Sequence, residues 1–205
     1  MKSSLVLLLA MTLVLGFASC ASASFSVQVG VPVGSEYYED GYGTTAATGF
    51  ALGVETMLGD SFKLGLDYLS ENDTYYHNLG IKGGYRLLNN DAFQLDVFAA
   101  YHMFDLYTSP SDNGNYVALG ADAAFSLSDS LSIGASVEYA VSGSFTWGFD
   151  DYDLKVFGYA LNVTYLFTEN WGVSLGYSYI NFDLPGSSWN PCGFRGFTAS
   201  AIYSF

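Results

Sequence analysis

The residues that could do chemistry are few and widely spaced. The chain contains two histidines, His77 and His102, and neither has a pair of aspartates nearby in sequence. Nothing in the spacing around them specifies the nucleophile, base and acid of a hydrolase. A histidine at a loop boundary, such as His77, is usually solvated, and His102 is expected to form hydrogen bonds within the fold. The sequence therefore predicts no catalytic residues, no cofactor and no enzyme.

Acidic residues offer a second kind of chemistry, because carboxylate oxygens are the ligands that Ca²⁺ and Mg²⁺ prefer. They gather between the apolar stretches, and Asp150, Asp151 and Asp153 form one such group. No group has the spacing of an EF-hand loop, and acids in surface loops are most often solvated. These three residues are the candidates for divalent cations that bridge carboxylates to lipid phosphates. If the neighbouring lipids carried few phosphate groups, these acidic residues would need no divalent cations beside them.

A third set of charged side chains alternates with apolar residues. Lys82 and Arg86, for example, take positions between Ile81, Tyr85 and Leu87. A period of two is that of a β-strand, and it places the charges on the face opposite the apolar one. The set comprises Glu55, Lys63, Asp67, Lys82, Arg86, Asp96, Asp122 and Glu138.

Ten apolar segments with this period follow one another from Phe25 to Phe205, each about long enough to cross a bilayer as a tilted strand. Their connections alternate between short turns rich in Asn, Asp and Ser and longer loops. The short turns are 59–61, 89–91, 128–130 and 168–170, and the loops are 35–47, 71–76, 108–115, 145–153 and 185–195. This alternation predicts an antiparallel up-and-down β-barrel of ten strands, or of eight as the alternative, with both termini at the short-turn end. Pro32 is the weak point of the first strand, because proline cannot donate to the ladder.

Lipid, rather than a soluble core, is the predicted environment of the apolar face. Tyr and Trp gather at the ends of the apolar segments, as they do at membrane interfaces. The opposite face carries, besides its charges, mostly Gly, Ala, Ser and Thr, which suit a narrow curved lumen. After the first segment no run of about 18 apolar residues could form a transmembrane helix. The net charge of −14 excludes nucleic acid as a partner, since nothing could neutralise its phosphates.

Inside such a lumen, charges of opposite sign should pair across strands, because leaving a buried charge unpaired costs about 3–5 kcal/mol. Judged by their distance from the turns, Arg86 and Lys63 should bridge Glu55 and Asp96 and close the short-turn mouth. Further along the barrel, the order should be Lys82, Asp67 and Asp122 near mid-height and then Glu138.

The first 23 residues have the pattern of a signal peptide. Lys2 precedes an apolar stretch over 5–17, and Ala21-Ser22-Ala23 supplies small residues before a cleavage point. The predicted domains are therefore a signal peptide over 1–23 and a barrel over 24–205. The alternative to cleavage after Ala23 is a lipoprotein signal, in which Cys20 carries the lipid. If cleavage follows Ala23, Cys192 has no disulfide partner, and a lone thiol in a turn is usually inert.

The signal peptide, the alternating strands, the Asp/Asn/Ser turns and the final Tyr203-Ser204-Phe205 together resemble the small outer-membrane β-barrel proteins of the OmpA/OmpX type. The resemblance covers essentially residues 24–205, and it is one of architecture rather than of a diagnostic motif. It implies a location in the bacterial outer membrane, surrounded by outer-membrane lipid, with both termini in the periplasm. It also implies that Phe205, with Tyr203, is the signal that the outer-membrane assembly machinery recognises.

Three functions stay open. The first is a structural or surface-interaction role, in which the charge network plugs the lumen and the stretches 36–42 and 145–153 face partners. The alternative is a narrow, weakly cation-selective pore for small solutes, because the lumen carries more acidic than basic side chains. A second alternative is an outer-membrane hydrolase or acyl-modifying enzyme, comparable to the omptin proteases or the lipid A deacylases, with His77 at the outer rim.

Overall fold

The computed structural model describes residues 23–41, 43–71, 76–105, 112–148, 150–186 and 191–205. Residues 1–22, which include Cys20 and nearly all of the predicted signal peptide, lie outside this described part. Within it the chain forms β-strands and no helix. The strands are β1 (Ala23–Glu39), β2 (Gly43–Ala47), β3 (Gly49–Leu58), β4 (Phe62–Glu71), β5 (Tyr76–Asn89), β6 (Phe93–Asp105), β7 (Asn113–Ser126), β8 (Leu131–Trp147), β9 (Asp150–Asp153), β10 (Lys155–Leu166), β11 (Trp171–Asp183) and β12 (Cys192–Ser204).

All the strands except β2 and β9 close into one barrel. Neighbours in the wall are antiparallel and follow the chain, with β3 next to β1 and β10 next to β8, and β12 pairs with β1 to close the ring. For the described residues, the predicted all-β, up-and-down barrel of ten strands is confirmed, and the alternative of eight strands is wrong. No helix in this part of the chain is long and apolar enough to span a membrane.

The short strands β2 and β9 lengthen two of the hairpins. β1 pairs with β3 as far as Gly30 opposite Ala51, and with β2 from Ser35 opposite Ala47. β8 pairs with β10 and then with β9, where Ser144 lies opposite Asp153. The predicted loops over 35–47 and 145–153 are therefore wrong for most of their length, because these segments continue the ladder.

Pro32 lies in β1 where its missing N–H does least harm. In the described structure, β1 pairs with β12 on one side through this region, with Pro32 opposite Thr198. On the other side the pairing with β3 has ended at Gly30 and that with β2 begins only at Ser35. Proline is tolerated at such a point because no ladder bond on that side is lost.

The two ends of the barrel differ in their connections. The turn end carries the tight turns that follow β3, β5, β7 and β10, together with Ala23 and Ser204. The loop end carries the opposite ends of the strands and the two lengthened hairpins. At the turn end Asn90, Ser128 and Thr168 each accept two backbone N–H bonds from the residues that follow them. These side chains close the turns as their residue types predict.

Side chains alternate between the lumen and the outer face. In β6, Val97 and Tyr101 are exposed outside, whereas Asp96 and His102 are buried inside. Large apolar side chains ring the outer face, and Leu119, Leu161 and Leu175 are each 53% exposed. Soluble proteins do not leave so extensive an apolar surface in water. The exposed band therefore matches the lipid-facing surface that the sequence predicts.

Candidate functional site in the barrel lumen

Lys63 is the centre of an ion-pair network in the turn half of the lumen. Its Nζ lies 2.9 Å from Glu55 Oε2, 3.4 Å from Asp96 Oδ2 and 3.3 Å from Asp122 Oδ2. The Lys63 side chain is only 9% exposed, so the three carboxylates take the place of lost water. The structure thus brings Glu55, Lys63 and Asp96 into one contact group, near the turns that follow β3 and β5.

Two further basic side chains belong to this network. Arg86 Nε and Nη2 donate to the two carboxylate oxygens of Asp96 at 2.9 and 3.3 Å. This two-pronged geometry is the strong form of an Arg–carboxylate pair. Lys82 Nζ lies 2.8 Å from Asp122 Oδ2, and Ser136 donates to Asp122 Oδ1 at 2.7 Å. The network therefore links the wall from β3 through β8.

Two cavities remain beside the network. One of about 360 Å³ separates it from the wall of β8 and β10, where small polar residues such as Ser132 and Asn162 line it. The other, of about 270 Å³, lies towards β1 and is lined by Gln28 and Asp67, and Lys82 borders both. Both spaces are bordered by charged side chains and are large enough for water. The turn half of the lumen is thus a polar chamber rather than a packed core.

Asp67 lies at the upper edge of this chamber, and His102 and Glu138 lie above it. Asp67 is opposite Gly80, and Gly80 is opposite His102, so the Asp67 carboxylate occupies the space that a side chain at position 80 would fill. His102 Nε2 lies 3.4 Å from Glu138 Oε2, and the Tyr116 hydroxyl donates to Glu138 Oε1 at 3.2 Å. Asp67 has no direct hydrogen bond or ion pair to another described residue. One carboxylate therefore faces the chamber without a bound counter-charge.

Aromatic rings fill the loop half of the lumen. Tyr76 stacks on Phe194 with 4.1 Å between ring centres, and Phe104 stacks on Phe182 at 4.9 Å and on Phe145 at 5.9 Å. These five side chains are at most 4% exposed. We call them, with their buried neighbours, the aromatic cluster. The neighbours are Tyr116, Ala118, Ala140, Leu154, Val156, Leu184 and Cys192.

The sequence did not predict the aromatic cluster, because the inward positions were expected to hold mostly small residues besides the charges. That expectation is correct for most of the turn half, where the inward Phe98 ring beneath Lys82 is an exception, and it is wrong for the loop half. The available signal was parity, since Phe104 and Tyr116 alternate with outward residues of the same strands. Both side chains also need space. The Phe104 ring lies against Gly114 and the Tyr116 Cβ lies against Gly143, and a Cβ at either glycine would collide with them.

The predicted assembly signal lies at the end of β12. The Phe205 N–H donates to the Phe25 carbonyl at 2.8 Å. Its ring packs on Phe25 at 5.5 Å and edge-on against Tyr203 at 4.6 Å. Phe205 is nevertheless 70% exposed, so its ring is available to a partner. Its role in assembly stays a prediction.

The predicted cation contacts are exposed in β9. Asp150, Asp151 and Asp153 lie at the loop end, and Thr146 donates to Asp151 at 2.7 Å. In the described ranges no group of three or more His, Cys, Asp or Glu residues is arranged to hold a metal ion. A contact between these acids and divalent cations therefore stays a prediction.

Cys192 differs from its predicted surroundings. It begins β12 instead of lying in a turn, and it is 2% exposed within the aromatic cluster. Burial among these apolar side chains disfavours the charged thiolate. Because the thiolate is the reactive form, Cys192 should be unreactive at neutral pH.

No family model and no curated protein sequence matches this chain. Several solved structures match it over almost its whole length. The outer membrane protease OmpT from Escherichia coli matches with a TM-score of 0.59 and 10% identity, covering 90% of this chain and 94% of that one. The NanC porin matches with a TM-score of 0.50 and 10% identity, covering 88% and 100% of the two chains. Neisserial surface protein A matches with a TM-score of 0.44 and 17% identity, covering 89% and 97%.

Proposed function

We propose that this small outer-membrane β-barrel protein is a closed barrel that holds a rim of hairpins at the bacterial surface, in a structural or interaction role. The band of exposed apolar side chains supports a position in the membrane, and the fold supports the outer membrane in particular. In this proposal the turn end faces the periplasm and the loop end faces outward. Lipid surrounds the barrel, and the assembly machinery meets Tyr203 and Phe205 during biogenesis.

The observation that carries the proposal is a lumen occupied at two heights. In the turn half, Lys63 and Arg86 hold carboxylates from several strands together across the interior. In the loop half, the rings of Phe104, Phe182 and Phe194 lie where a pore would have to pass. Ion pairs can rearrange around water, but a packed aromatic layer excludes it. The aromatic cluster is therefore the principal barrier in this proposal.

The loop-end rim is the surface through which such a barrel would interact. Glu39 and Asp40 lie at the tip of the first hairpin, and the acids of β9 line the other long hairpin. Trp147 is 40% exposed beside them. Arg195, a basic side chain on this end, is already paired with Glu36 at 2.6 Å. Charge complementarity therefore favours a partner with basic groups, or divalent cations.

A narrow pore is the alternative function, and the two cavities beside the network favour it. They lie in the turn half and carry the unneutralised Asp67. If the aromatic cluster moved aside, the lumen would pass cations more readily than anions, because its carboxylates outnumber its basic side chains.

Cysteine labelling of intact cells tests the orientation on which the surface role depends. Gly41→Cys at the loop end should react with a membrane-impermeant maleimide, and Asp129→Cys at the turn end should react only after the cells are permeabilised. The unaltered chain is the control, since its Cys192 is buried. Labelling of Asp129→Cys in intact cells, with none of Gly41→Cys, would overturn the proposed role.

A further inference from the structure

Ser70 and His77 form a hydrogen-bonded pair on the outer face of the barrel. They lie directly opposite each other on β4 and β5, at the loop end. Ser70 Oγ and His77 Nδ1 are 3.0 Å apart. A serine hydroxyl that can donate to an imidazole nitrogen is the arrangement in which a base activates an oxygen nucleophile. The sequence did not reveal this pair, because only the hairpin register brings position 70 opposite position 77.

Aromatic rings flank the pair, in which Ser70 is buried and His77 is half-buried. The His77 ring is parallel to that of Tyr68, with 6.5 Å between ring centres, and Tyr68 packs on Phe50 at 5.7 Å. Phe50 is also opposite Ser70 on β3. Ser70 is only 4% exposed, whereas the Phe50 ring is 41% exposed at the edge of the site. An acyl chain could replace that ring above Ser70 at little cost, because one apolar contact would replace another.

A carboxylate lies next to the pair on the following strand, and the three residues Ser70, His77 and Asp105 form a row across β4, β5 and β6. Asp105 lies opposite His77 on β6, on the same outer face, and it is exposed. The residue types of an acyl-transfer site, a hydroxyl, an imidazole and a carboxylate, therefore occupy three adjacent strands in order.

The height of this row limits what it could act on. On the same strands the outward residues just below it are apolar and exposed, such as Ile81 and Met103, and the row itself is polar. It therefore lies where the apolar band ends. In a bilayer this boundary is the level at which the acyl chains of a lipid join its headgroup through ester bonds.

We propose that Ser70 and His77 form an acyl-transfer site that hydrolyses an ester bond of a membrane lipid. Ser70 Oγ attacks the ester carbonyl while its proton passes to His77 Nδ1. The bond to the alcohol oxygen then breaks, and His77 returns the proton to the departing alcohol. Water, deprotonated by His77, attacks the acyl-serine and releases a carboxylic acid and free Ser70. This activity goes beyond the closed-barrel proposal and does not depend on it, because the pair lies outside the lumen.

Labelling with a fluorophosphonate, which reacts with activated serines, tests the nucleophile. The probe is applied to folded protein in detergent micelles, and heat-modifiable migration verifies that every variant is folded. The unaltered protein should be labelled and Ser70→Ala should not. His77→Ala should be labelled about 100-fold more slowly, the usual contribution of a general base. Ser142→Ala is the matched control, because Ser142 is an exposed outward serine at the same end that faces Val117 instead of a histidine.

Release of fatty acid tests the substrate class. The protein is incubated with phosphatidylethanolamine vesicles in one arm and with lipopolysaccharide in the other, which distinguishes the two lipid sources. Fatty acid should appear in at least one arm and should be absent with Ser70→Ala. Failure of the folded unaltered protein to be labelled, or equal labelling of Ser70→Ala, would overturn the proposal. Labelling without fatty acid in either arm would overturn the lipid ester as substrate.

Discussion

A basic side chain inside a membrane barrel is stable only where carboxylates replace its water. Arg86 and Arg195 allow a comparison within one chain, because both donate through Nε to a carboxylate, at 2.9 and 2.6 Å. The side chains of Arg86 and Asp96 are 15% and 6% exposed in the lumen. Those of Arg195 and Glu36 are 43% and 33% exposed at the loop end. The same chemical pair should therefore contribute differently to stability in the two places.

Replacing each arginine by alanine measures that difference. Arg86→Ala leaves a buried carboxylate with only the longer contact to Lys63, so the free energy of unfolding in lipid vesicles should fall by about 3 kcal/mol. Arg195→Ala should lower it by much less, because exposed ion pairs are screened by water and salt. Urea-induced unfolding followed by tryptophan fluorescence gives both values. An equal loss in the two variants would contradict the structural role assigned to the lumen network.

At the residue scale, the sequence predicted which charged side chains share the lumen face and a height better than it predicted their individual contacts. Parity and distance from the turns placed Lys63 and Arg86 near Asp96, because a strand's period fixes the face and the hairpin fixes the height. The contact of His102 with Glu138 was not predicted. It depends on how far each side chain reaches across the lumen, and the one-dimensional pattern does not contain that distance.

Among the elements, β12 closes the barrel and ends in the residue predicted to guide its assembly. The terminal Phe205 is bound to β1 through one backbone hydrogen bond and one ring contact with Phe25. Most of its surface is exposed, so its removal should cost the folded barrel little stability. A large effect of its removal in cells would therefore report on assembly.

Deletion of Phe205 should leave exported but unfolded chain in the periplasm, while the purified variant refolded in detergent keeps nearly normal stability. The measurement is the fraction of heat-modifiable protein in isolated membranes. Phe167→Ala is the control, because Phe167 is a comparably exposed aromatic residue at the turn end but is not terminal. Normal amounts of folded protein without Phe205 would refute its role as a signal.

At the element scale, the alternating segments predicted every strand of the barrel wall, whereas the lengthened hairpins were mistaken for loops. The stretch from Gly43 to Ala47 is rich in Gly, Thr and Ala, and β9 is mostly Asp. Neither has the apolar alternation that marks a strand with one face in lipid. Above the membrane the outer face of a hairpin meets water instead of lipid, so the apolar alternation disappears although the ladder continues.

Considered as a whole, the barrel has an interior in two layers. The turn half has ion pairs and water-sized cavities, and the loop half has packed aromatic rings. The large inward side chains need neighbouring positions without side chains. In the turn half the Asp67 carboxylate lies against Gly80, and in the loop half the Phe104 ring lies against Gly114. The barrel thus holds a polar charge network and a packed aromatic layer at different heights of one narrow lumen.

The closed lumen is the central claim, and conductance recording in planar bilayers tests it most directly. The unaltered protein should show no resolved conductance steps. Phe104→Ala combined with Phe182→Ala removes two stacked rings of the aromatic cluster. This variant should open a small conductance that favours cations, because the lumen carboxylates outnumber its basic side chains. A large, stable, anion-selective channel from the unaltered protein would contradict the closed barrel.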